Sequence, residues 1–129
     1  MMAPTIALHG DCPELILGSG GSKRIRTAIL QVLINLIDFN LPVEKAVLAP
    51  RLHWDGEVLQ MEPGFSSQAQ ERLGRNFPLN IWQQSSLYFG GVHAIASGYG
   101  CGDPRRGGDS RILTLSRNET NLPSFPLSS

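Results

Sequence analysis

The apolar run Leu15-Ile16-Leu17 passes through Gly18-Ser19-Gly20-Gly21-Ser22 into a stretch, Ile25 to Phe39, whose apolar residues recur at helical spacing. That order reads as strand, glycine loop, helix, so the chain must combine both kinds of element. Consecutive glycines let several backbone N–H groups turn the same way. A helix behind them adds its unpaired first-turn donors and the positive end of its dipole. Such a loop is a candidate seat for negative charge: a phosphate, a carboxylate or the oxyanion of an acyl-transfer intermediate. A tight strand-to-helix corner without ligand is the plain alternative.

The helix is the clearest element, because Ile25, Ala28, Ile29, Val32, Leu33, Leu36 and Ile37 fall on one stripe. Asn40-Leu41-Pro42 breaks it, Pro42 is placed to begin a short second helix through Glu44, Lys45 and Ala46, and Ala49-Pro50 ends that one. Upstream, Thr5-Ile6-Ala7-Leu8 and Glu14 to Leu17 read as hairpin strands about a turn at Gly10-Asp11-Cys12-Pro13. Arg51 to Trp54 and Glu57 to Met61 flank Asp55-Gly56, the signature of a two-residue hairpin link. Ser66 or Ser67 caps a surface helix over Gln68 to Leu73, which Gly74 ends. Leu79 to Gln83 and Gly91 to Ala96 are further strands. Gly98 to Gly108 reads as glycine-rich loop, and residues 114–129 as a flexible tail.

Eleven Lys and Arg balance eleven Asp and Glu, so nothing in the charge attracts nucleic acid or an anionic membrane. No export signal or apolar span is visible within these residues. Cys12 and Cys101 stand apart without metal-type spacing and read as free thiols. His9, His53 and His93 lie in different elements without acidic or thiol neighbours, and read as structural residues; no metal or cofactor is expected. The loop also fails both nucleotide templates. A P-loop needs four residues before a Gly-Lys-Ser/Thr ending, and a dinucleotide fingerprint needs glycine where Lys23 stands and an acid at the end of the next strand, whereas Asp38 lies in a helix.

Gly18-Ser19-Gly20-Gly21-Ser22, Arg24 to Gln31, Ile37-Asp38-Phe39, Ala49-Pro50-Arg51, Gly91-Val92-His93-Ala94 and Gly102 to Gly108 together resemble the gamma-glutamyltransferases, also called gamma-glutamyltranspeptidases or glutathione hydrolases. The resemblance implies an α+β fold: part of the four-layer αββα sandwich of the N-terminal-nucleophile hydrolases, which two subunits cut from one precursor complete. Residues 1–113 then correspond to the C-terminal portion of the small subunit. In that family a threonine freed by self-cleavage attacks the gamma-carbonyl of glutathione or a related amide, and the acyl-enzyme passes its gamma-glutamyl group to water or an amino acid. The resemblance places the oxyanion-hole glycines, catalytic and substrate-binding through their N–H groups, at Gly20 and Gly21. Family members are commonly periplasmic, secreted or on the cell surface.

The family's nucleophilic threonine and its substrate-gripping arginine, asparagine, glutamine and aspartate correspond to segments upstream of Met1, and Met2-Ala3-Pro4-Thr5 resembles the stretch after a substrate-binding serine pair. The expectation is that these residues act only together with the rest of the two-subunit enzyme and are inactive alone. Ser85 and Ser86 do not match the family's serine pair, and Thr5, following Pro4 in a strand, is no nucleophile. Lys23 and Arg24 add positive potential beside the loop or are solvated helix-start charges, while Asp103 and Arg105 are expected to pair and order the glycine-rich segment. Two other readings remain open: a noncatalytic remnant or interaction module that keeps part of the fold, and autonomous anion or nucleotide binding. A half-sandwich also leaves an apolar sheet face uncovered, which predicts self-association of the lone chain.

Overall fold

The computed structural model describes residues 2–113; the expected tail at 114–129 lies outside the described residues. Strands β1 (Met2–His9), β2 (Cys12–Gly20), β6 (Gly91–Ala96) and β7 (Tyr99–Cys101) form one antiparallel sheet in the order β1-β2-β6-β7. Helices α1 (Ile25–Ile37) and α2 (Val43–Leu48) cover one face. Leu15, Leu17, Val92 and Ala94 of the sheet meet Ala28 and Val32 of α1 and Val43, Ala46 and Val47 of α2. Alternation along each strand sends every second residue to the helices and the others to the opposite face. There Ile6, Ile16 and Ile95 stand side by side across three strands, 60%, 46% and 54% exposed. The molecule is thus α+β, one helical layer on one sheet, with a bare apolar face where a further layer would pack.

A smaller sheet of β3 (Leu52–Trp54), β4 (Leu59–Met61) and β5 (Leu79–Ile81) lies beside it, with β4 antiparallel to β3 and parallel to β5. Helix α3 (Ser67–Gly74) supplies the crossover between β4 and β5, and Ser66 Oγ caps it by accepting from the Ala69 N–H. Short 3₁₀ turns occupy Leu87–Phe89 and Pro104–Arg106.

Several boundaries differ from the sequence expectation. The first hairpin turns on Gly10-Asp11 alone, and β2 starts at Cys12 with Pro13 opposite Leu8. A register shift between Ala7 and Leu8 absorbs the extra residue. The Asp55-Gly56 link is in fact a four-residue connection, because Trp54 pairs with Leu59. The Asp55 carboxylate accepts from the N–H groups of Glu57 and Val58 and so holds the wider turn in place of a two-residue one. β5 stops at Ile81, although the Trp82 N–H still reaches the Met61 carbonyl. Within the presumed loop at 98–108 lies a strand, β7, joined to β6 through Ser97-Gly98, both at positive φ (52° and 79°). α1 ends at Ile37, two residues early, with Asn40 left-handed at φ 49°, and Ile37 stands 64% exposed off the expected stripe.

Candidate functional site

The β6–β7 turn fixes how the glycine loop is held. A two-residue turn of this kind closes with its flanking residues, Ala96 and Tyr99, hydrogen-bonded to each other. Neighbouring residues in a strand point their N–H and C=O groups to opposite sides, so the hydrogen-bonded pairs between β6 and β2 are Ile95 with Ile16, His93 with Gly18, and Gly91 with Gly20. By this alternation the Gly20 N–H belongs to the sheet. Gly21, at φ 141°, is the first residue beyond β2, in a conformation that L side chains disfavour. Ser22, Lys23 and Arg24 follow, with the Ile25 N–H on the Ser22 carbonyl at 3.2 Å, before α1 begins. No side chain caps that helix start. Gly20 and Gly21 are therefore brought together at the expected strand exit, but as an anchored residue and a turned one.

Cationic side chains surround this exit. The Arg24 guanidinium carbon lies 4.3 Å from the centroid of the Tyr88 ring, a cation–π contact that keeps Arg24 against the loop's flank. Thr27 Oγ donates to the Arg24 carbonyl at 3.1 Å and stands 3.0 Å from His53 Nδ1. Since the hydroxyl has one proton, His53 takes the Nδ1–H form and donates to it. Partial burial, followed by the charge of Arg24, holds the His53 pKa below its ordinary 6.5 against the opposing pull of Asp55. His53 is thus a neutral spacer between α1 and Tyr88, whose ring it meets edge-on at 6.1 Å. Arg106 approaches from the other side: a Cβ placed on Gly21 would lie 3.1 Å from its Nη2.

Beneath the loop sits a buried four-member ion network. Asp103 Oδ2 accepts from Arg51 Nη2 at 2.8 Å and from the Val92 N–H at 2.8 Å, while Oδ1 accepts from the Arg105 N–H at 3.0 Å. Arg105 Nε donates to Glu62 Oε1 at 2.7 Å, and its Nη1 lies 3.3 Å from Asp103 Oδ1. The Arg51 N–H donates to Glu62 Oε2 at 2.9 Å, and Arg51 Nη1 donates to the Gly90 carbonyl at 2.9 Å. Two cations and two anions cancel, and the network clamps α2, β4, β6 and the 104–106 turn together. Burial pushes the Asp103 carboxyl up, but the Arg51 charge and the N–H groups of Val92 and Arg105 outweigh it and leave the pKa below the usual carboxylate value. The Asp103–Arg105 pair is present as expected. Arg51 and Glu62 escape sequence reasoning because they join it from 52 and 43 residues away. The sequence signals were Arg51's place in the Ala49-Pro50-Arg51 motif and Glu62's place directly after Met61, a buried position.

The remaining candidates are dispersed. His9 is exposed 3.6 Å from Glu14, and His93 Nδ1 accepts from the Asp103 N–H at 3.1 Å. Ser86 caps the turn at Leu87–Phe89, Thr5 lies within β1, and Cys12 and Cys101 are both free thiols. Among the described residues no His, Cys, Asp or Glu cluster has the geometry to hold a metal ion, and no helix is long and apolar enough to cross a membrane.

The family model for Gamma-glutamyltranspeptidase matches residues 1–113. The chain is 34% identical over 111 residues to the glutathione hydrolase proenzyme of Escherichia coli K12, covering 81% of this chain and 19% of that relative. Its structure resembles an acivicin-inhibited gamma-glutamyltranspeptidase whose C-terminus has critical roles in autoprocessing and catalysis, at a TM-score of 0.70 and 34% identity over 82% of this chain and 61% of that one. The gamma-glutamyltranspeptidase of Pseudomonas nitroreducens complexed with L-DON gives a TM-score of 0.72 at 31% identity, over 88% of this chain and 62% of that one. The chain thus spans about a fifth of the length of the Escherichia coli relative, 19%.

Proposed function

Because the chain belongs to the gamma-glutamyltranspeptidase family, within the N-terminal-nucleophile hydrolase fold, we propose that it supplies the oxyanion-hole side of an enzyme that transfers or hydrolyses the gamma-glutamyl group of glutathione and related amides. The observation that carries this reading is the exit from β2. Gly20, anchored to Gly91, fixes the position of Gly21, whose positive φ turns the backbone out of the ladder. Of the two expected glycines, Gly20 serves as the post and Gly21 opens the donor loop, with the Ser22 N–H next in line. Donors fixed by a sheet need no rearrangement as charge develops on the carbonyl oxygen, which is where such groups are most effective.

In the proposed reaction, a threonine hydroxyl from the complementary segment attacks the gamma-carbonyl carbon. A C–O bond forms, the C–N bond breaks, and the amine leaves with the hydroxyl proton. Water or an acceptor amine then attacks the ester, and the threonine recovers its proton. The complementary segment packs on the bare face at Ile6, Ile16 and Ile95, completing the sandwich.

Co-expression of this chain with a segment bearing the threonine nucleophile tests the reading. We expect a stable pair that releases p-nitroaniline from gamma-glutamyl-p-nitroanilide, with neither part active alone. A pair that forms and stays inactive, with its threonine amine free, would replace this reading with that of a noncatalytic interaction module.

A further inference from the structure

Three cross-strand rows make up the bare face of the main sheet. Ile6, Ile16 and Ile95 form the apolar one; beside it Pro4, Gly18 and His93 form a second, and Met2, Gly20 and Gly91 a third. His93 is exposed and is the one polar side chain in these rows. With glycine opposite it at Gly18 and next on its own strand face at Gly91, the sheet leaves open space around the ring. The ring is nevertheless fixed. Nδ1 accepts from the Asp103 N–H at 3.1 Å, and a Cβ on Gly108 would lie 2.5 Å from Cε1, so the 103–108 turn holds the Nδ1–Cε1 edge. A backbone N–H can only donate, so Nδ1 presents its lone pair and the neutral ring carries its proton on Nε2. Asp103 is itself held, since its carboxylate binds Arg51 and Arg105 and its carbonyl accepts from the N–H groups of Arg106 and Gly108. Among the described residues Nδ1 makes the ring's only hydrogen bond. A donor of fixed direction is thus left on the face that a second layer would cover.

From this geometry we propose that His93 is the polar docking point between the layers: its Nε2–H donates to an acceptor oxygen, a carbonyl or carboxylate, of the complementary segment and thereby sets the register of the sandwich. The inference rests on the reading that this segment packs on the bare face. The isoleucine row attracts another apolar surface without direction, so several alignments of two layers bury it about equally. A single donor discriminates among them. An alignment that buries Nε2–H without a partner incurs the full desolvation of that group, which exceeds what the bond contributes when it is made. Gly18 and Gly91 leave an acceptor room to reach the ring, and the grip of the turn on Nδ1 keeps the donor from swinging to meet a misplaced one.

The test uses the full chain and the nucleophile-bearing segment, with two substitutions that divide the ring's functions. His93→Asn places an acceptor oxygen where Nδ1 stands but ends short of Nε2, whereas His93→Gln reaches the Nε2 position with a donor and has no acceptor at Nδ1. His93→Asn should leave the chain's urea midpoint unchanged and weaken assembly about tenfold, read as the calorimetric Kd. His93→Gln should lower the urea midpoint and keep the Kd within about threefold of the unaltered value. In the unaltered chain carrying isotope-labelled histidine, the Nε2 proton should exchange rapidly with water when the chain is alone and become protected on assembly. A His93→Asn variant that assembles as tightly as the unaltered chain would overturn the proposal, as would an Nε2 proton that still exchanges rapidly in the assembled pair. Equal weakening by both substitutions would also overturn it, because the turn and not the donor would then be what meets the second layer. Failure of the unaltered chain to bind the segment at all would instead refute the underlying reading of the bare face, and the proposal with it.

Discussion

Arg51 and Asp103, 52 residues apart, form a 2.8 Å ion pair with side chains 2% and 0% exposed. Removing one member of a buried pair strands the other charge, which typically costs about 3–5 kcal/mol. Asp103→Ala should lose that much in urea denaturation, because Arg51, Arg105 and the Val92 N–H all lose an acceptor at once. Glu71→Ala, which breaks the 70% exposed Arg75 pair on α3, should cost under about 1 kcal/mol. Equal losses for the two variants would show that the buried network does not hold the layers together.

The same network sets the acid limb of stability. The folded-state pKa of Asp103 is depressed, so the carboxylate's contribution is fully present above the unfolded value of about 3.9 and drains away as pH falls below it toward the folded pKa. Asp55 acts in the same direction: the N–H groups of Val58 and Glu57 and the Gln60 amide bring its pKa down to about 2. Stability measured from pH 6 to pH 2 should therefore fall below about pH 4. Asp103→Asn, compared with the unaltered chain over that range, should flatten the decline, and a parallel slope in the variant would remove Asp103 from the account.

His53 acts in the same direction at a higher pH, although here the deprotonated form that the fold favours is the neutral one. Its folded-state pKa lies below 6.5, so the unfolded chain takes up the proton first as pH falls. Stability is complete above about 6.5 and declines below it until the folded pKa is reached. Ring-proton NMR should show His53 titrating below 6.5, and His53→Gln should remove the part of the decline that begins there. A His53 midpoint at or above 6.5 would contradict the packing of its ring against Tyr88 and Arg24.

What the sequence revealed followed interaction range. α1 was legible because its stripe repeats within a few residues, and the strand–glycine–helix order marked the site through the conformational demands of Gly21. β7 was hidden because Tyr99-Gly100-Cys101 is too short and glycine-rich to show alternation; its pairing depends on Ser97 accepting a left-handed φ of 52°. Arg51 and Glu62 carry no local pattern, since their reason for burial is a carboxylate and a guanidinium supplied from the far end of the chain. Arg106, unlike Arg105 with its expected Asp103 partner, carried no signal of its own in the sequence. Only the fold separates the arginine that is neutralised inside from the one laid across Gly91.

Gly108 tests how tightly that last segment is seated. A Cβ there would meet His93 Cε1 at 2.5 Å and the Asp103 backbone N and O at 2.6 and 2.8 Å. Backbone cannot step aside as a flexible side chain does, so Gly108→Ala should destabilise the chain by about 1–3 kcal/mol. Gly98→Ala meets nothing within 4 Å and pays only for its positive φ of 79°. The urea midpoint should therefore drop further for Gly108→Ala than for Gly98→Ala; the reverse order would mean that the 102–108 segment is not packed against β6.

Ile16 is the most direct probe of the bare sheet face. It sits between Ile6 and Ile95 in the cross-strand row and contributes nothing to the core on the helical side. Ile16→Lys should leave the chain's own urea midpoint nearly unchanged, as surface substitutions usually do within about 0.5 kcal/mol. The same substitution puts an unpaired charge into an interface that must be dry if a second layer packs there. Affinity for the complementary segment, measured by calorimetry, should fall at least tenfold, and sedimentation should show less self-association of the lone chain. Undiminished affinity would place the complementary layer elsewhere and leave the apolar row without a partner. Loss of both affinity and intrinsic stability would indicate that Ile16 belongs to the chain's own core.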